Sequence, residues 1–412
     1  MNVITSLVAA MLTILPVGAA APVQPDQIPD PCGMLSDQRV VTCFSDPTTN
    51  DPRILDSITA LVDSAGDGDT IEIMMYSWRN NELPVRVADR VVAAYERGVD
   101  VRVILDEASS KYEPIDILRA ADVPLVVCDD AGNREDNCLM VDDPDYYDPD
   151  NKQPMNHTKL LLFDIDGKKS VVGGSANFGD SGYYTSWNDM VRIHDAGLHS
   201  YLTDWFARVW SDDWQGWDSD SDRWGSGDPA PGAKDLREMA YVYPRKSADP
   251  IGNTLKRTTT CHSDGDDDGD WDKRVWVAIS SWKQGARSQI LDQLERLNGE
   301  GCDVRVMLAD NISVEHATQL RERISGSASD SSEVRYVCKI HHKMVILDAK
   351  YRGAYHEVVV TGSNIWTNGS LGYSTELNLR LGGEDNDTDD GAVRKYIVHY
   401  DKLWDERSKA SC

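Results

Sequence analysis

Two segments of the chain share one spacing of histidine, lysine and aspartate, H-x-K-x4-D. The first contains His157, Lys159 and Asp164, and the second contains His341, Lys343 and Asp348. The apolar run after each lysine predicts a β-strand, and residues two apart on a strand point to the same face. Each segment is therefore expected to present an imidazole beside an ammonium group.

An imidazole beside an ammonium group is suited to phosphate chemistry. Lysine supplies a positive charge and donors for phosphate oxygens, while histidine can attack phosphorus or act as a general acid or base. With two copies, one histidine can attack while the other protonates the leaving oxygen, and water then releases the phosphohistidine. One such triplet is a weak signal, but two at matching places predict a functional pair.

A turn of small residues follows each triplet, at positions 173–177 (GGSAN) and 362–364 (GSN). Glycine lets the backbone approach a substrate closely, and serine and asparagine can donate to phosphate oxygens. The candidate phosphate ligands are Ser175, Asn177, Ser363 and Asn364.

A carboxylate lies further along each repeat, Asp189 in the first and Glu376 in the second. A carboxylate on one imidazole nitrogen fixes the tautomer and leaves the other nitrogen free to react. We therefore consider both as histidine-orienting residues, the alternative being an ordinary solvated or strand-edge carboxylate.

The triplets lie in an internal repeat. Residues 70–78 and 274–282 are strand-like and both end in Ser-Trp, and residues 98–105 match 301–308 almost position for position. A helical pattern separates the two strands in each copy. This strand–helix–strand alternation predicts an α/β protein whose sheets carry packed helices.

The repeat divides the chain into segments. We assign residues 51–214 to the first repeat and 257–412 to the second, joined by an acidic linker, 215–256, rich in Gly, Ser and Pro. Residues 22–50 form a short N-terminal segment with two cysteines. Residues 1–21 have the apolar run and small terminal residues of an export signal, although the two residues before the apolar run include no Lys or Arg. A retained anchor helix is the alternative.

The eight cysteines fit an exported protein, because an even count in an oxidising compartment suggests disulfides. Short spacings favour Cys32–Cys43 and Cys128–Cys138, which leaves Cys261–Cys302 and Cys338–Cys412. A zinc site would require tighter clusters of the CxxC type. We expect neither a metal nor another cofactor.

The paired triplets resemble those of the phospholipase D superfamily, whose members carry two HKD motifs. The similarity covers roughly residues 51–406. It implies two α/β/α lobes with mixed sheets, related by a pseudo-twofold axis, with the motifs meeting at the interface. It also implies a metal-independent, two-step reaction in which His157 attacks phosphorus and His341 serves as acid and base.

The resemblance implies further roles. Phosphate would be held by Lys159, Lys343, Ser175 and Asn177, histidines would be oriented by Asp189 and Glu376, and the motif aspartates, Asp164 and Asp348, would be structural. The second turn is one residue shorter than the family's G-S-x-N, so Asn364 need not occupy the phosphate-binding place. His342, between two motif residues, should point to the opposite strand face and be structural.

Two other features have competing interpretations. Residues 264–269 match the opening of a calcium loop but lack the closing glutamate, which favours a solvated acidic turn. Aromatic residues near the glycine turns could line a pocket for a choline-like cation or simply pack in the core. These are Tyr183, Tyr184, Trp187, Trp366 and Tyr373.

The formal net charge of −27 disfavours long polyanions as substrates, since binding them requires clustered Lys and Arg. The acidic insert at 129–155 reinforces this point. We therefore expect a secreted, monomeric phospholipase D-type enzyme that contacts membranes peripherally and hydrolyses a zwitterionic phospholipid, with or without transfer to an alcohol. The alternatives are a secreted nuclease or other phosphodiesterase of the same motif type, or an inactive binding module.

Overall fold

The computed structural model describes residues 29–128, 138, 155–211, 223–224, 239–245, 248–261, 274–324, 332–351, 354–382 and 391–412. The export segment, most of the acidic insert and the calcium-like turn lie outside these residues. No helix in the described ranges is long and apolar enough to cross a membrane.

Strands and helices alternate along the chain in two similar series. The first series contains β1 (Val40–Phe44), α1 (Arg53–Ser64), β2 (Thr70–Met75), α2 (Glu82–Glu96), β3 (Asp100–Asp106), a 3-10 helix (Glu107–Ser109), α3 (Glu113–Ala120), β4 (Leu125–Cys128), β5 (Lys159–Ile165), β6 (Lys168–Gly174), α4 (Asp180–Tyr183), β7 (Asp189–His194) and α5 (Ala196–Ser211). The second contains β8 (Arg223–Trp224), β9 (Met239–Tyr243), α6 (Pro250–Arg257), β10 (Thr258–Thr260), β11 (Arg274–Ile279), α7 (Ser288–Gly299), β12 (Asp303–Leu308), α8 (Val314–Ile324), β13 (Glu333–Val337), β14 (Lys343–Tyr351), β15 (Ala354–Gly362), α9 (Asn368–Gly372), β16 (Glu376–Gly382), α10 (Ala392–Arg407) and β17 (Ser408–Lys409).

Each series forms one mixed sheet, and the two sheets share a strand order. The first sheet runs β1-β7-β6-β5-β2-β3-β4, and the second runs β17-β13-β12-β11-β14-β15-β16-β9-β8, with β10 paired to β14. In both sheets the strand–helix–strand unit is parallel and the motif strand pairs antiparallel beside it. This confirms the predicted two-lobed α/β fold with mixed sheets.

Each lobe begins earlier than the sequence pattern indicated. β1, from the N-terminal segment, pairs with β7, and β9 pairs with β16 at the equivalent position of the second sheet. All five residues of β9 are buried. This part of the predicted exposed linker is therefore a core strand, because the short apolar run Met-Ala-Tyr-Val-Tyr has a sheet edge on which to pair.

Both faces of each sheet are buried. Helices α1 to α3 cover the outer face of the first sheet and α6 to α8 that of the second, over two separate apolar cores. A third core contains the inner faces of both sheets together with α5 and α10. This shared core holds the lobes against each other, so the ends of β5 and β14 that carry the motif lysines approach the same interface.

Four disulfides link the cysteines, namely the two pairs that short spacing favoured, Cys32–Cys43 and Cys128–Cys138, and the two pairs that then remained, Cys261–Cys302 and Cys338–Cys412. The first ties the segment before β1 to that strand, and the last ties the C-terminus to the loop before the second motif. Both therefore fix chain ends to the sheets that carry the motifs.

Candidate active site

The two motif histidines lie at the interface between the lobes, where each completes a strand-like contact with the opposite lobe. The backbone N–H of His157 donates to the Thr375 carbonyl at 2.9 Å, and the backbone N–H of His341 donates to the Trp187 carbonyl at 2.9 Å. Parallel bridges join the preceding residues across the same boundary. Each histidine is therefore positioned by the other repeat.

The two motif lysines are the first residues of β5 and β14 and are buried beside these histidines. Lys159 Nζ donates to the His157 carbonyl at 2.6 Å, and Lys343 Nζ to the His341 carbonyl at 2.7 Å. Burial, opposed by Glu376 and Asp189, lowers the pKa of Lys343 to about 7. Burial and the nearby Lys343 lower the pKa of Lys159 well below its usual range. Two buried lysines beside the two histidines form a site suited to an anion.

Glu376 orients His157 from the opposite lobe. Its Oε2 lies 3.0 Å from His157 Nδ1, and its Oε1 accepts a hydrogen bond from Ser370. Burial would raise the pKa of Glu376, but the charge and hydrogen bond of His157, with Lys159, lower it to about 2. Burial and Lys159 lower the pKa of His157 to about 4 despite the carboxylate. His157 is therefore neutral near pH 7, with the proton on Nδ1 and the Nε2 lone pair free.

Asn188 orients His341, in the place where the sequence suggested Asp189. Asn188 Oδ1 lies 2.7 Å from His341 Nδ1, and its Nδ2 donates to the Ser186 carbonyl at 3.2 Å, which fixes the amide orientation. Asp189 contacts His342 instead, through Oδ1 and Nδ1 at 2.8 Å. Adjacent strand residues point to opposite faces, so a shift of one position changes the partner completely.

Counting from the turn serines identifies the equivalent positions. Glu376 is thirteen positions after Ser363, and thirteen positions after Ser175 stands Asn188. The hydrogen bonds agree, because the Ser175 N–H donates to the Asp189 carbonyl and the Ser363 N–H to that of Leu377, each at 2.9 Å. This thirteen-residue spacing can be counted in the sequence. The prediction chose Asp189 instead of Asn188 because a carboxylate is the more common partner of a histidine.

Both turn serines bond to the neighbouring strand. Ser175 Oγ accepts the Asp189 N–H at 3.0 Å, and Ser363 Oγ accepts the Leu377 N–H at 2.9 Å. The glycine before each serine permits this approach, since a Cβ on Gly174 or Gly362 would lie within 2.3 Å of a carbonyl oxygen of that strand. The small residues thus bring two strands together, a use that differs from the predicted approach of backbone to substrate.

The two turn asparagines differ from each other. Asn177 is buried, and its Oδ1 has no hydrogen-bond partner among the described residues. Asn364 is fully engaged, since its Nδ2 donates to Ser370 and its Oδ1 accepts from Arg287 at 2.5 Å. Arg287 in turn forms a completely buried ion pair with Asp249. Only Asn177 thus has an uncommitted buried group, as the shorter second turn had suggested.

The two motif aspartates lie away from the imidazoles, and two of the predicted aromatic residues are buried. Asp164 and Asp348 are five positions beyond the lysines, about 16 Å along the strand, and pair with Lys169 and Arg274. Trp187 and Trp366 are 3% and 1% exposed, so they pack in the core and do not line a pocket.

The sequence pattern gave no sign of Tyr76, which lies edge-on to His157 with ring centroids 4.6 Å apart and beneath the Lys159 ammonium at 5.0 Å. Ser280 occupies the position equivalent to Tyr76 in the second repeat. The backbone N–H of Tyr76 donates to the Thr158 carbonyl, and that of Ser280 donates to the His342 carbonyl. Only the strand register reveals this pair.

No group of three His, Cys, Asp or Glu side chains in the described segments is arranged to hold a metal ion. The site contains two imidazoles with bound Nδ1 atoms, two buried lysines and Asn177, whose Oδ1 has no partner among the described residues. A family model described as "Cardiolipin synthase, PLD-like domain" matches residues 58–210 and 272–404, more than half of the chain. The chain belongs to the phospholipase D-like family.

Solved structures agree with the phospholipase D-like fold. Phosphatidylserine synthase from Haemophilus influenzae Rd KW20 superposes with a TM-score of 0.59 at 10% identity, covering 94% of this chain and 88% of that one. Polyphosphate kinase from Porphyromonas gingivalis superposes with a TM-score of 0.52 at 12% identity, covering 92% of this chain but only 53% of the kinase. At such identities the likeness shows the fold alone. No curated protein sequence matches this phospholipase D-like chain.

Proposed function

We propose that this protein hydrolyses the headgroup phosphodiester of glycerophospholipids, as a phospholipase D does. The observation that carries the proposal is the convergence of both histidines and both lysines at one lobe interface, with each imidazole bonded through Nδ1 to a partner. Such an imidazole presents Nε2 to the substrate, either as a nucleophile or as a proton donor and acceptor. Two of them around one anion-binding site can carry out a two-step displacement.

In the proposed first step, His157 Nε2 attacks phosphorus and the bond to the headgroup oxygen breaks. His341 enters this step as the imidazolium, which the bound phosphodiester anion favours, and gives its Nε2 proton to that leaving oxygen. The headgroup alcohol departs and His341 is left as the neutral Nδ1–H tautomer. In the second step His341 takes a proton from water, the resulting hydroxide attacks phosphorus, and the P–N bond breaks. Phosphatidic acid is released and His157 returns to its starting state. Lys159 and Lys343 stabilise the negative oxygens throughout.

The partners of the two imidazoles support this division of roles. Positive charge develops on a histidine that becomes bonded to phosphorus, and the Glu376 carboxylate beside His157 stabilises that charge. Beside His341 Nδ1 lie the neutral Asn188 oxygen at 2.7 Å and the Lys343 amine at 3.2 Å. Burial, with Lys343 and Lys159, lowers the pKa of His341 well below the usual value. An imidazolium in that environment is a strong acid, which suits protonation of a poor leaving group.

Transfer is the second candidate reaction. Cardiolipin synthase and phosphatidylserine synthase are the names printed for the matching model and for one solved relative. Both names describe formation of a phosphodiester from an alcohol acceptor, which differs from hydrolysis only in the group that attacks the phosphohistidine. A nuclease is disfavoured by the net charge of −27, which opposes a long polyanion but not a single phosphodiester.

The decisive experiment compares substrates under conditions without free metal. Purified protein is incubated with vesicles of phosphatidylcholine or phosphatidylethanolamine, or with single-stranded DNA, in the presence of EDTA. We expect release of headgroup and, with added primary alcohol, a phosphatidyl-alcohol product. Cleavage of DNA alone would refute the lipid proposal. The control is His316→Leu, which removes a buried imidazole contacting Gln319 outside the site.

Export is proposed together with this activity. Four disulfides are typical of proteins that fold in an oxidising compartment. The test is N-terminal sequencing of protein recovered from the medium of expressing cells. A terminus near residue 21 or 22 is expected, and protein found only with membranes would favour the anchored alternative.

A further inference from the structure

His342 occupies the middle position of the second H-x-K, and its side chain is completely buried on the strand face opposite the catalytic pair. Its Nδ1 lies 2.8 Å from Asp189 Oδ1, and its Nε2 lies 3.0 Å from His399 Nε2. His399 belongs to α10, is half-buried and stacks on Phe44 of the other lobe with centroids 4.1 Å apart. One imidazole pair thus connects the second motif, a carboxylate and both lobes.

The carboxylate in this cluster has every oxygen occupied. Asp189 Oδ1 accepts from His342 and from Ser175 Oγ at 2.9 Å, while Oδ2 accepts from Thr361 at 2.6 Å and from Tyr396 at 2.7 Å. Burial would raise the pKa of Asp189, but the His342 hydrogen bond and charge, with the two hydroxyls, lower it to about 2. Removing any one donor leaves a buried charge under-compensated, which is costly.

Asp189 is adjacent to the residue that orients the catalytic base. Asn188 precedes it at the start of β7, and Ser175 Oγ lies within hydrogen-bond distance of both side chains, 2.9 Å from Asp189 Oδ1 and 3.2 Å from Asn188 Oδ1. A displacement of Asp189 therefore moves Asn188 through the backbone and through the shared serine. An amide does not pass protons along such a path, so the arrangement serves orientation and not proton transfer.

We propose that His342 and His399 are positioning residues for the catalytic His341. The imidazole pair holds Asp189 in place, Asp189 holds Asn188, and Asn188 keeps the proton of His341 on Nδ1. The inference rests on the proposed function of His341 but concerns a different group of atoms. In the first repeat the equivalent of His342 is Thr158, which makes only a hydroxyl bond to the Thr375 carbonyl at 3.0 Å. The imidazole pair is therefore specific to the second half of the site.

The test combines kinetics with a direct measurement of the His341 tautomer. Nitrogen-15 spectra of histidine-labelled protein, assigned with His341→Ala, report which ring nitrogen carries the proton. In His342→Leu we expect a tautomer mixture and a kcat lower by about 10-fold or more, with KM within about 3-fold. His342→Asn restores a donor at the Nδ1 position and should recover most of kcat. His399→Phe keeps the stacking on Phe44 but removes Nε2, and should give an intermediate loss.

His316→Leu serves as the matched control and should change neither readout, and melting temperatures are measured for all variants. If His342→Leu fails to fold, His342→Asn and His399→Phe still test the proposal, since His399→Phe should exceed the control in tautomer mixing. An unchanged His341 tautomer with kcat within about 2-fold of the control would overturn it. Equal losses in His342→Leu and His342→Asn would do so as well, by indicating only a packing role. If the protein turns over no diester, the proposed function fails, but the tautomer measurement still decides this inference.

Discussion

The two halves of the candidate site have the same backbone and different chemistry. Around His157, the partner of Nδ1 is the Glu376 carboxylate, held by Ser370 and, through Asn364, by the buried Arg287–Asp249 ion pair. Around His341, the partner of Nδ1 is the neutral Asn188 amide, supported by Asp189 and two imidazoles. The first half is thus anchored by a buried arginine–aspartate ion pair, the second by a buried aspartate and two imidazoles.

This difference shows how a duplicated fold can supply two distinct roles. A symmetric pair of histidines would have equal affinity for protons and for phosphorus. A carboxylate on one ring and an amide on the other separates a cation-stabilising position from a strongly acidic one. The asymmetry involves few residues, because the backbone bonds of both motif histidines and both turn serines are the same in each lobe.

The largest expected effects come from the histidines themselves and distinguish the two halves. His157→Ala and His341→Ala should each reduce turnover of phosphatidylcholine by at least about 1,000-fold. With a nitrophenyl phosphodiester, whose leaving group needs no proton, His341→Ala should still form the phosphohistidine, whereas His157→Ala should not. Mass spectrometry of acid-sensitive phosphopeptides measures this. A phosphorylated His341 would reverse the assignment of roles.

The next effect concerns the charged anchor of the first half. Arg287→Leu leaves Asp249 as an unpaired buried carboxylate, and we expect a loss of about 3–5 kcal/mol in the free energy of unfolding. The double variant Arg287→Leu with Asp249→Leu should recover much of that loss, because both charges are gone. Urea denaturation measures both values. If the single variant were as stable as the unchanged protein, the ion pair would not anchor Asn364 and Glu376.

Much of the fold and of the candidate site was predictable from the sequence, and the elements and residues that were missed were missed for physical reasons. Strand and helix periodicities predicted the lobes, and residue identities predicted the histidines, the lysines and the partner Glu376. The strands β1 and β9 were missed because a single short run of mostly apolar residues among polar ones makes a weak pattern. Asn188 was missed because a register shift of one position is invisible until the strand is paired. Arg287 lies far from the motif in sequence, and only the folded chain brings it to Asn364.

A carboxylate exchange tests whether the two halves differ for the stated reason. Glu376→Gln keeps size and one acceptor oxygen but removes the charge that stabilises the phosphohistidine, so kcat should fall by about 100-fold. Asn188→Asp adds a charge beside His341 and should cost no more than about 10-fold at its best pH, with the pH optimum of kcat moving upward as the imidazolium is stabilised. Steady-state rates from pH 4 to 9 provide the comparison. Equal losses would mean that the partners do not divide the roles.

The smallest expected effect is the uptake of a proton by Lys159 and Lys343, one from each half of the site, when an anion binds between them. Burial lowers the pKa of Lys343 to about 7, and burial together with Lys343 lowers that of Lys159 well below its usual value. A lowered lysine pKa means that the positive charge is present below that pH and lost above it. An anion between the lysines favours the charged forms, so sulfate, whose own charge does not change here, should bind with uptake of about one proton near pH 8. Above pH 7 its affinity should fall by up to about 10-fold per pH unit.

Calorimetry in buffers of different ionisation enthalpy measures the uptake, which Lys343→Met should reduce and His316→Leu should not. Sulfate binding that is independent of pH would mean that both ammonium groups are already charged in the empty site. Anion binding would then not change the protonation of Lys159 or Lys343.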